Sequence, residues 1–179
     1  MLPKFMIIIA LLFVAVLGVT PVRAEQPAVS NPLDVVPEKM PFDIPYGRPI
    51  SLERAEAAIA ASVAEAKKQN WKMNVAVVDS GGNLVAFQRM DGAQLASIQI
   101  SEHKARASVN FRRETKVFED RIQLYNQNYI LTLDGAIAAR GGIPLVEGGK
   151  LVGAIGCSGG TGSQDEVACK AGASIFKEP

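Results

Sequence analysis

The chain has 179 residues, with 19 basic and 18 acidic side chains and a formal net charge of +1 at pH 7. A nearly neutral protein offers no broad basic face to nucleic acid or anionic lipid, so those partners are excluded. The chain has a single histidine and two cysteines that are not spaced as a CxxC pair, which argues against a metal site built from these residue types.

The first 24 residues have the pattern of a secretory signal peptide. Lys4 gives a short positive start, Phe5 to Val19 is an apolar stretch without charge, and Val22-Arg23-Ala24 is a small-x-small cleavage site. A membrane anchor is the alternative, but an apolar core of roughly 15 residues is shorter than the roughly 20 that a spanning helix needs. We therefore predict cleavage after Ala24, a periplasmic or secreted protein, and no stable membrane anchor. The remaining chain, about 155 residues, is enough for one domain.

Residues 25–49 are rich in proline and lack periodicity, which predicts an extended N-terminal arm. A single domain is predicted over residues 50–179. Its first element is a helix that Ser51 caps and that ends near Gln69. Apolar residues at helical spacing predict the buried stripe of this helix, namely Leu52, Ala55, Ile59, Val63 and Ala66.

A β-hairpin and further helices are predicted next. Met73 to Val78 and Leu84 to Arg89 are β-rich runs around a glycine-containing turn. A helix is predicted from Gln94 to about Asn110, with Leu95 among its apolar contacts and small residues for close packing at Ser101, Ala105 and Ser108. A short helix from Lys116 to Leu124 follows, and Tyr129 to Leu133 is either a strand or a covering segment.

The stretch from Gly141 to Gly172 is predicted as strand, tight turn, strand, glycine-rich loop and helix. The strands are Ile143 to Val146 and Leu151 to Cys157, and the helix runs from about Gln164 to Ile175, with Thr161 or Ser163 as its cap. Hairpins beside helices, without repeated βαβ crossovers, predict an α+β domain on an antiparallel sheet.

No arrangement of residues indicates catalysis. The glycine loop lacks the ending of a phosphate-binding loop, and Asp165 and Glu166 are interpreted as complements of the helix dipole. His103 lies mid-helix, where a solvated side chain is the ordinary interpretation. Several arginines are either surface charges or clamps for carboxylates, namely Arg89, Arg106, Arg112 and Arg113. Cys157 and Cys169 either form a disulfide or remain two buried thiols.

Three stretches, in order along the chain, resemble the GlcG/HbpS-like haem-binding family. They are Val77 to Phe87 with Arg89 to Ala93; Lys104 to Ser108 leading to Phe111 and Thr115; and Gly142 to Leu145, Gly149 to Gly156, Ser158 to Gly160 and Gln164 to Glu166. The resemblance implies a profilin-like or PAS-like α+β domain with a central antiparallel sheet flanked by helices. It also implies a homo-oligomer, as large as an octamer, and a tetrapyrrole ligand. That ligand is haem, with a corrinoid as the alternative because the family includes the C-terminal domain of PduO-type corrinoid proteins.

The resemblance suggests candidate cofactor-binding residues. Thr115 matches a family threonine placed at the iron, and His103 is the other candidate metal ligand because it is the only imidazole. A flat macrocycle with propionates also needs an apolar wall and a cation, which Phe111 and either Arg112 or Arg113 would supply. Soft axial ligands are the further alternative, namely Met73 and Met90.

The leading functional hypothesis is an exported haem-binding protein for haem storage, delivery or sensing, with haem degradation a possible activity. It is more a binding protein than a catalyst. One alternative is an oligomeric accessory protein of an exported oxidoreductase, docked through the proline-rich arm. The other is an enzyme or cofactor chaperone for a small carboxylate or a corrinoid.

Overall fold

The computed structural model describes residues 35–176. The predicted signal peptide and residues 25–34 of the predicted arm lie outside this range. The elements are, in order, α1 (Leu52–Lys68), β1 (Asn74–Asp79), β2 (Leu84–Arg89), α2 (Ala96–Asn110), α3 (Lys116–Gln123), β3 (Gly142–Glu147), β4 (Lys150–Ser158) and α4 (Gly162–Ala173). Short 3-10 helices cover Asn128–Thr132 and Ser174–Phe176. None of the helices in the described range is long and apolar enough to cross a membrane.

The four strands form one antiparallel sheet in the order β2-β1-β4-β3. β1 and β4 are central, and Val77 of β1 lies opposite Ala86 of β2 on one side and Ile155 of β4 on the other. This confirms the predicted α+β fold with a central antiparallel sheet.

Helices cover both faces of the sheet. Side chains alternate along each strand, so Val75 and Val77 enter the core shared with α1 and α4, while Val78 packs in a second cluster with residues of α2. α2 approaches β4 very closely: a Cβ at Gly156 would lie 2.0 Å from the carbonyl oxygen of Ser101. Small residues are therefore required at this contact, as predicted for Ser101 and Ala105.

The helix caps follow local sequence. Ser51 caps α1 by accepting a hydrogen bond from the backbone N–H of Arg54 (3.3 Å). Thr161 rather than Ser163 caps α4, and Gln164 completes a reciprocal capping box. Both interactions satisfy backbone donors that the first helical turn leaves without partners.

Two sequence-based predictions were wrong, and one pair of alternatives is decided. Leu52 is 55% exposed, because Ile50 fills the core at this end of α1 and is tied to β4 by its N–H to the Val152 carbonyl (2.9 Å). Leu95 is 72% exposed, because α2 begins one residue after it. Of the two alternatives for Tyr129 to Leu133, the strand does not form: Asn128–Thr132 is a 3-10 helix in which Ile130 is the buried residue.

Candidate ligand-binding site

A cavity of about 480 Å³ lies between β3, the start of α3 and the residues that precede α1. This volume is within the usual range for small-molecule sites. Most of its wall is apolar, and charged side chains stand at its border. Its lining consists of Phe42, Ile44, Arg112, Arg113, Glu114, Lys116, Val117, Asp120, Ile143, Pro144, Val146, Ala173 and Phe176.

The end of α2 positions the two arginines of the cavity. The N–H of Arg113 donates to the Ser108 carbonyl (3.1 Å), and the N–H of Arg112 donates to the Val109 carbonyl (3.2 Å). These two bonds form a Schellman motif in which Arg112 occupies the position that normally favours glycine. Arg112 accordingly has φ = 54°.

A left-handed backbone at arginine is strained relative to glycine or asparagine. α1 ends in the same motif, but there Asn70 takes the left-handed position with φ = 58°. Phe42, which also lines the cavity, is left-handed as well, with φ = 62°. Strained residues that are not glycine cluster at functional sites, so two of them on one cavity point to a binding role.

Arg113 is held against aromatic rings. Its guanidinium carbon lies 3.7 Å from the ring centre of Phe42 and 5.6 Å from that of Phe118, and its Nε donates to the Phe111 carbonyl (2.9 Å). Among residues 35–176, no carboxylate lies within 4 Å of it. Burial lowers the pKa of Arg113, and the charges of Arg121 and Arg112 act in the same direction. A guanidinium still stays charged at neutral pH, so Arg113 is a cation available to an anionic ligand.

The other charged groups at the border are paired. Arg112 lies 3.8 Å from the exposed carboxylate of Asp43, and Lys116 pairs with Asp120 one helical turn away. Glu114 lies 3.6 Å from Lys170. Lys116 was missed at the level of sequence, because an i,i+4 pair on a short helix resembles ordinary surface charge.

The predicted site residues are only partly brought together. Arg112 and Arg113 line the cavity, whereas His103 is exposed on α2 and does not. Thr115 is fully buried, and its Oγ1 accepts a hydrogen bond from the N–H of Gly142 (2.9 Å). Phe111 packs edge-on against Phe118, with ring centres 5.0 Å apart.

The remaining candidates lie elsewhere. Met73 is fully buried in the core, and Met90 packs against that core beside Arg89, away from the cavity. Arg106 pairs with Glu102 on its own helix (2.9 Å). Within residues 35–176, the cavity wall contains no histidine, cysteine, methionine or tyrosine. No group of three potential metal ligands occurs in this described part either.

Asp165 does more than complement the dipole of α4. Its carboxylate is 2.7 Å from the Nζ of Lys104, which also donates to the Cys157 carbonyl (3.1 Å). The side chains of Lys104 and Asp165 are only 2% and 4% exposed. Burial raises the pKa of Asp165, and Lys104 opposes that rise. This ion pair joins α2 and α4, which cover opposite faces of the sheet, and no local sequence pattern predicts it.

Cys157 and Cys169 form a disulfide, with Cα atoms 5.5 Å apart. Of the two alternatives left open by the sequence, the structure therefore shows the bond between the end of β4 and α4. Both residues are fully buried.

Fold and site together define an α+β domain with an apolar cavity bordered by arginines. Residues 50–174 match the family described as haem degrading protein HbpS-like, and the chain belongs to this family. Protein GlcG of Escherichia coli K12 is 40% identical over 109 residues, which are 61% of this chain and 81% of GlcG. An uncharacterized 15.0 kDa protein of Citrobacter freundii is 35% identical over 132 residues, 72% of this chain and 93% of its own.

Solved structures share the fold. Klebsiella pneumoniae ORFY has a TM-score of 0.68 at 27% identity, covering 79% of this chain and 97% of its own. A double mutant of Streptomyces reticuli HbpS has a TM-score of 0.66 at 28% identity, covering 80% and 97%. The PduOC–haem complex, with a TM-score of 0.64 at 24% identity and coverage of 70% and 94%, shows the likeness of fold alone.

Proposed function

We propose that the protein binds haem, or a closely related tetrapyrrole, in the cavity beside Arg112 and Arg113. The observation that carries this proposal is the pair of arginines on an apolar cavity, one strained and the other without a carboxylate partner among the described residues. The apolar wall suits a flat macrocycle, and guanidinium groups bind carboxylates by paired, charge-assisted hydrogen bonds. The description of the family supports haem as the ligand.

The cavity fits one part of haem better than the other. Ile143, Pro144 and Val146 offer an apolar surface for the ring, and the arginines suit its two propionates. The described wall offers no imidazole or sulfur donor for the iron. Bound haem would supply redox-active iron, whereas the residues of the cavity contribute ring burial and carboxylate recognition.

A pair of titrations tests this proposal. Purified protein is titrated with hemin and with iron-free protoporphyrin IX, followed by absorption and by porphyrin fluorescence. We expect saturable binding of both, at affinities within about tenfold of each other, because the iron has no strong donor in the cavity wall. Arg112→Glu should weaken the binding of both ligands. Arg89→Glu, at an exposed position of β2, is the matched control and should leave the binding of both ligands unaltered. Absence of saturable binding, or equal affinity in both variants, would refute the assignment.

Thr115 and His103 remain the proposed iron donors, although neither lines the cavity. Thr115→Val keeps the shape of the side chain and removes the hydroxyl, and His103→Ala removes the imidazole. If either group contacts iron, its variant changes the hemin absorption spectrum and leaves protoporphyrin binding unaltered. A corrinoid in the same titration tests the alternative ligand class.

Export and the biological role belong to the same proposal. We propose that cleavage after Ala24 releases the protein to the periplasm or medium, where it stores, delivers, senses or degrades haem. N-terminal sequencing of protein from the secreting cell tests the cleavage. The absorption spectrum of the haem complex is followed during incubation with a reductant under air. Bleaching of the haem spectrum would indicate degradation, and an unaltered spectrum would leave storage, delivery or sensing.

The proposed homo-oligomer has support in an exposed apolar surface. Residues between α3 and β3 are large, apolar and exposed: Leu124 (69%), Tyr125 (66%), Tyr129 (47%) and Leu131 (71%). Contiguous exposed apolar groups of this kind mark protein contacts. Light scattering of wild type and Leu131→Asp tests the assembly, up to the octamer, and an unaltered mass for the variant would remove this surface from the interface.

A further inference from the structure

The wall segment, residues 42–46, closes one side of the cavity and is anchored firmly at its C-terminal end. The N–H of Leu151 donates to the Pro45 carbonyl (2.8 Å), and the N–H of Gly47 donates to the Leu151 carbonyl (2.8 Å). The hydroxyl of Tyr46 donates to the carbonyls of Val109 and Asn110, at 3.1 Å each. These bonds fix the segment to β4 and to the end of α2.

The N-terminal half of the wall segment is held differently. Among the described residues, no backbone-to-backbone hydrogen bond reaches Phe42, Asp43 or Ile44. Ile44 packs against the smaller core cluster, and the polar and cationic contacts of these residues come from the two arginines: the guanidinium of Arg113 stacks on Phe42, and Nη1 of Arg112 donates a long bond to the Ile44 carbonyl (3.3 Å). The pair between Arg112 and the exposed Asp43 is weak at 3.8 Å.

The wall segment and an anionic ligand therefore compete for the guanidinium groups of the same two arginines. Paired hydrogen bonds from guanidinium to carboxylate are stronger than a stack on one phenyl ring or an exposed ion pair. A carboxylate that binds Arg113 competes with the stack of its guanidinium on Phe42, and one that binds Arg112 competes with its hydrogen bond to the Ile44 carbonyl.

We propose that the wall segment is a displaceable gate, which Arg112 and Arg113 hold closed in the empty protein and which the carboxylates of an entering ligand release. Pro45 to Gly47 act as the hinge, and Phe42 to Ile44 swing away from the cavity. The identity of the ligand rests on the proposed function. The closed gate in the empty protein is independent of that function, because it is argued from contacts within the protein. The gate also lies before residue 50, where the family match begins, so it is a feature of this chain beyond that match.

Thiol labelling measures the gate directly. Ile44→Cys places a thiol on the partly buried inner side of the segment, and Cys157 and Cys169 are joined in a disulfide, so the new thiol is the one that reacts with maleimide. Combining it with Arg113→Gln should raise the labelling rate about three- to tenfold, the factor expected for losing one stacked cation. Arg89→Gln is the matched control and should leave the rate unaltered.

Phe42→Ala removes the aromatic partner of the same stack and should raise the labelling rate equally. Agreement between the two variants would show that a folding defect specific to Arg113→Gln does not cause the increase. Circular dichroism before labelling shows that each variant is folded. Unaltered labelling rates in both variants would overturn the gate, because the segment would then be a fixed wall.

Ligand dependence is measured with protoporphyrin IX, which has two carboxylates and no iron for the new thiol to bind. Saturating protoporphyrin should raise the labelling rate of Ile44→Cys in the protein without other substitutions. Phe42→Leu should bind protoporphyrin a few-fold more tightly than the wild type, because a smaller fraction of the variant has its gate closed. Slower labelling with ligand, or weaker binding by Phe42→Leu, would show a wall that clamps the ligand and would overturn the proposal. If protoporphyrin does not bind at all, the proposed function fails, and the labelling rates of the empty variants alone decide whether the gate exists.

Discussion

Replacing Lys104 by methionine removes the charge of the buried ion pair and keeps most of the side-chain volume. Asp165 would then lie 4% exposed with no cation, retaining a hydrogen bond from the N–H of Gly160 (3.0 Å). Removing one partner of a buried pair costs about 3–5 kcal/mol of folding free energy. Because domains of this kind are stable by about 5–15 kcal/mol, Lys104→Met should be folded but markedly weakened.

The loss should depend on pH in a defined direction. Burial raises the pKa of Asp165, and Lys104→Met removes the positive charge that opposes that rise. A carboxyl whose folded-state pKa lies above its unfolded value, near 3.9, stabilises the fold best when protonated and loses that stability as the pH rises. The destabilisation of Lys104→Met should therefore be larger at neutral pH than near pH 4.5.

Urea unfolding followed by circular dichroism, without reductant so that the disulfide stays intact, measures both effects. Lys68→Met on the surface of α1 is the matched control, with an expected change within about 0.5 kcal/mol. Lys104→Met combined with Asp165→Leu should recover much of the loss, since an apolar pair can replace a buried ion pair. A loss below about 1 kcal/mol at pH 7.5, or an equal loss at both pH values, would refute the reasoning.

Three further predictions concern other parts of the domain. Arg112→Gly should relieve backbone strain and raise the free energy of unfolding by up to about 1 kcal/mol while weakening protoporphyrin binding; a less stable variant would show that the contacts of Arg112 outweigh its strain. Gly156→Ala should lower the unfolding free energy by about 3 kcal/mol or more, because the new Cβ would lie 2.0 Å from the Ser101 carbonyl oxygen. Thermal unfolding measures this loss, and a melting temperature equal to that of the wild type would contradict the close packing. Burial would raise the pKa of Glu119, but hydrogen bonds and charge from Arg140 leave this pKa lowered. The pair therefore stabilises the fold above about pH 4.3, and its contribution disappears as the pH falls further. The unfolding free energy of Glu119→Gln should fall less steeply with acid than that of the wild type, and the same pH dependence in both proteins would exclude the pair as a cause.

The elements that sequence reasoning placed correctly are those set by local chemistry. Asp79 closes the turn between β1 and β2 by accepting hydrogen bonds from the N–H groups of Gly81 (2.8 Å) and Asn83 (2.9 Å), all within five residues. Ser51 likewise caps a helix that its own sequence favours. Elements of this type are predictable because their causes are neighbours in the chain.

The site could be predicted only in part, because its walls come from segments far apart. Arg112 and Arg113 were named as candidate carboxylate clamps from their chemistry, whereas Phe42, Ile143 and Phe176 meet them only after the sheet has formed. The buried charge of Lys104 depends on Asp165, which is 61 residues away. One sequence signal was present and unused: α2 ends without a glycine, so a residue with a side chain must take the left-handed position there.

The position of the wall segment has a consequence for evolution. Phe42 belongs to neither hydrophobic core cluster, and Ile44 only packs against the edge of the smaller one. Mutations at these two positions can therefore accumulate with little penalty to folding, while each one reshapes the entrance through which a ligand must pass. Ligand preference can in this way change at the entrance while the core stays the same, whereas Ile143 and Phe176 line the cavity and also belong to the larger core cluster, so that changes there affect ligand and stability together.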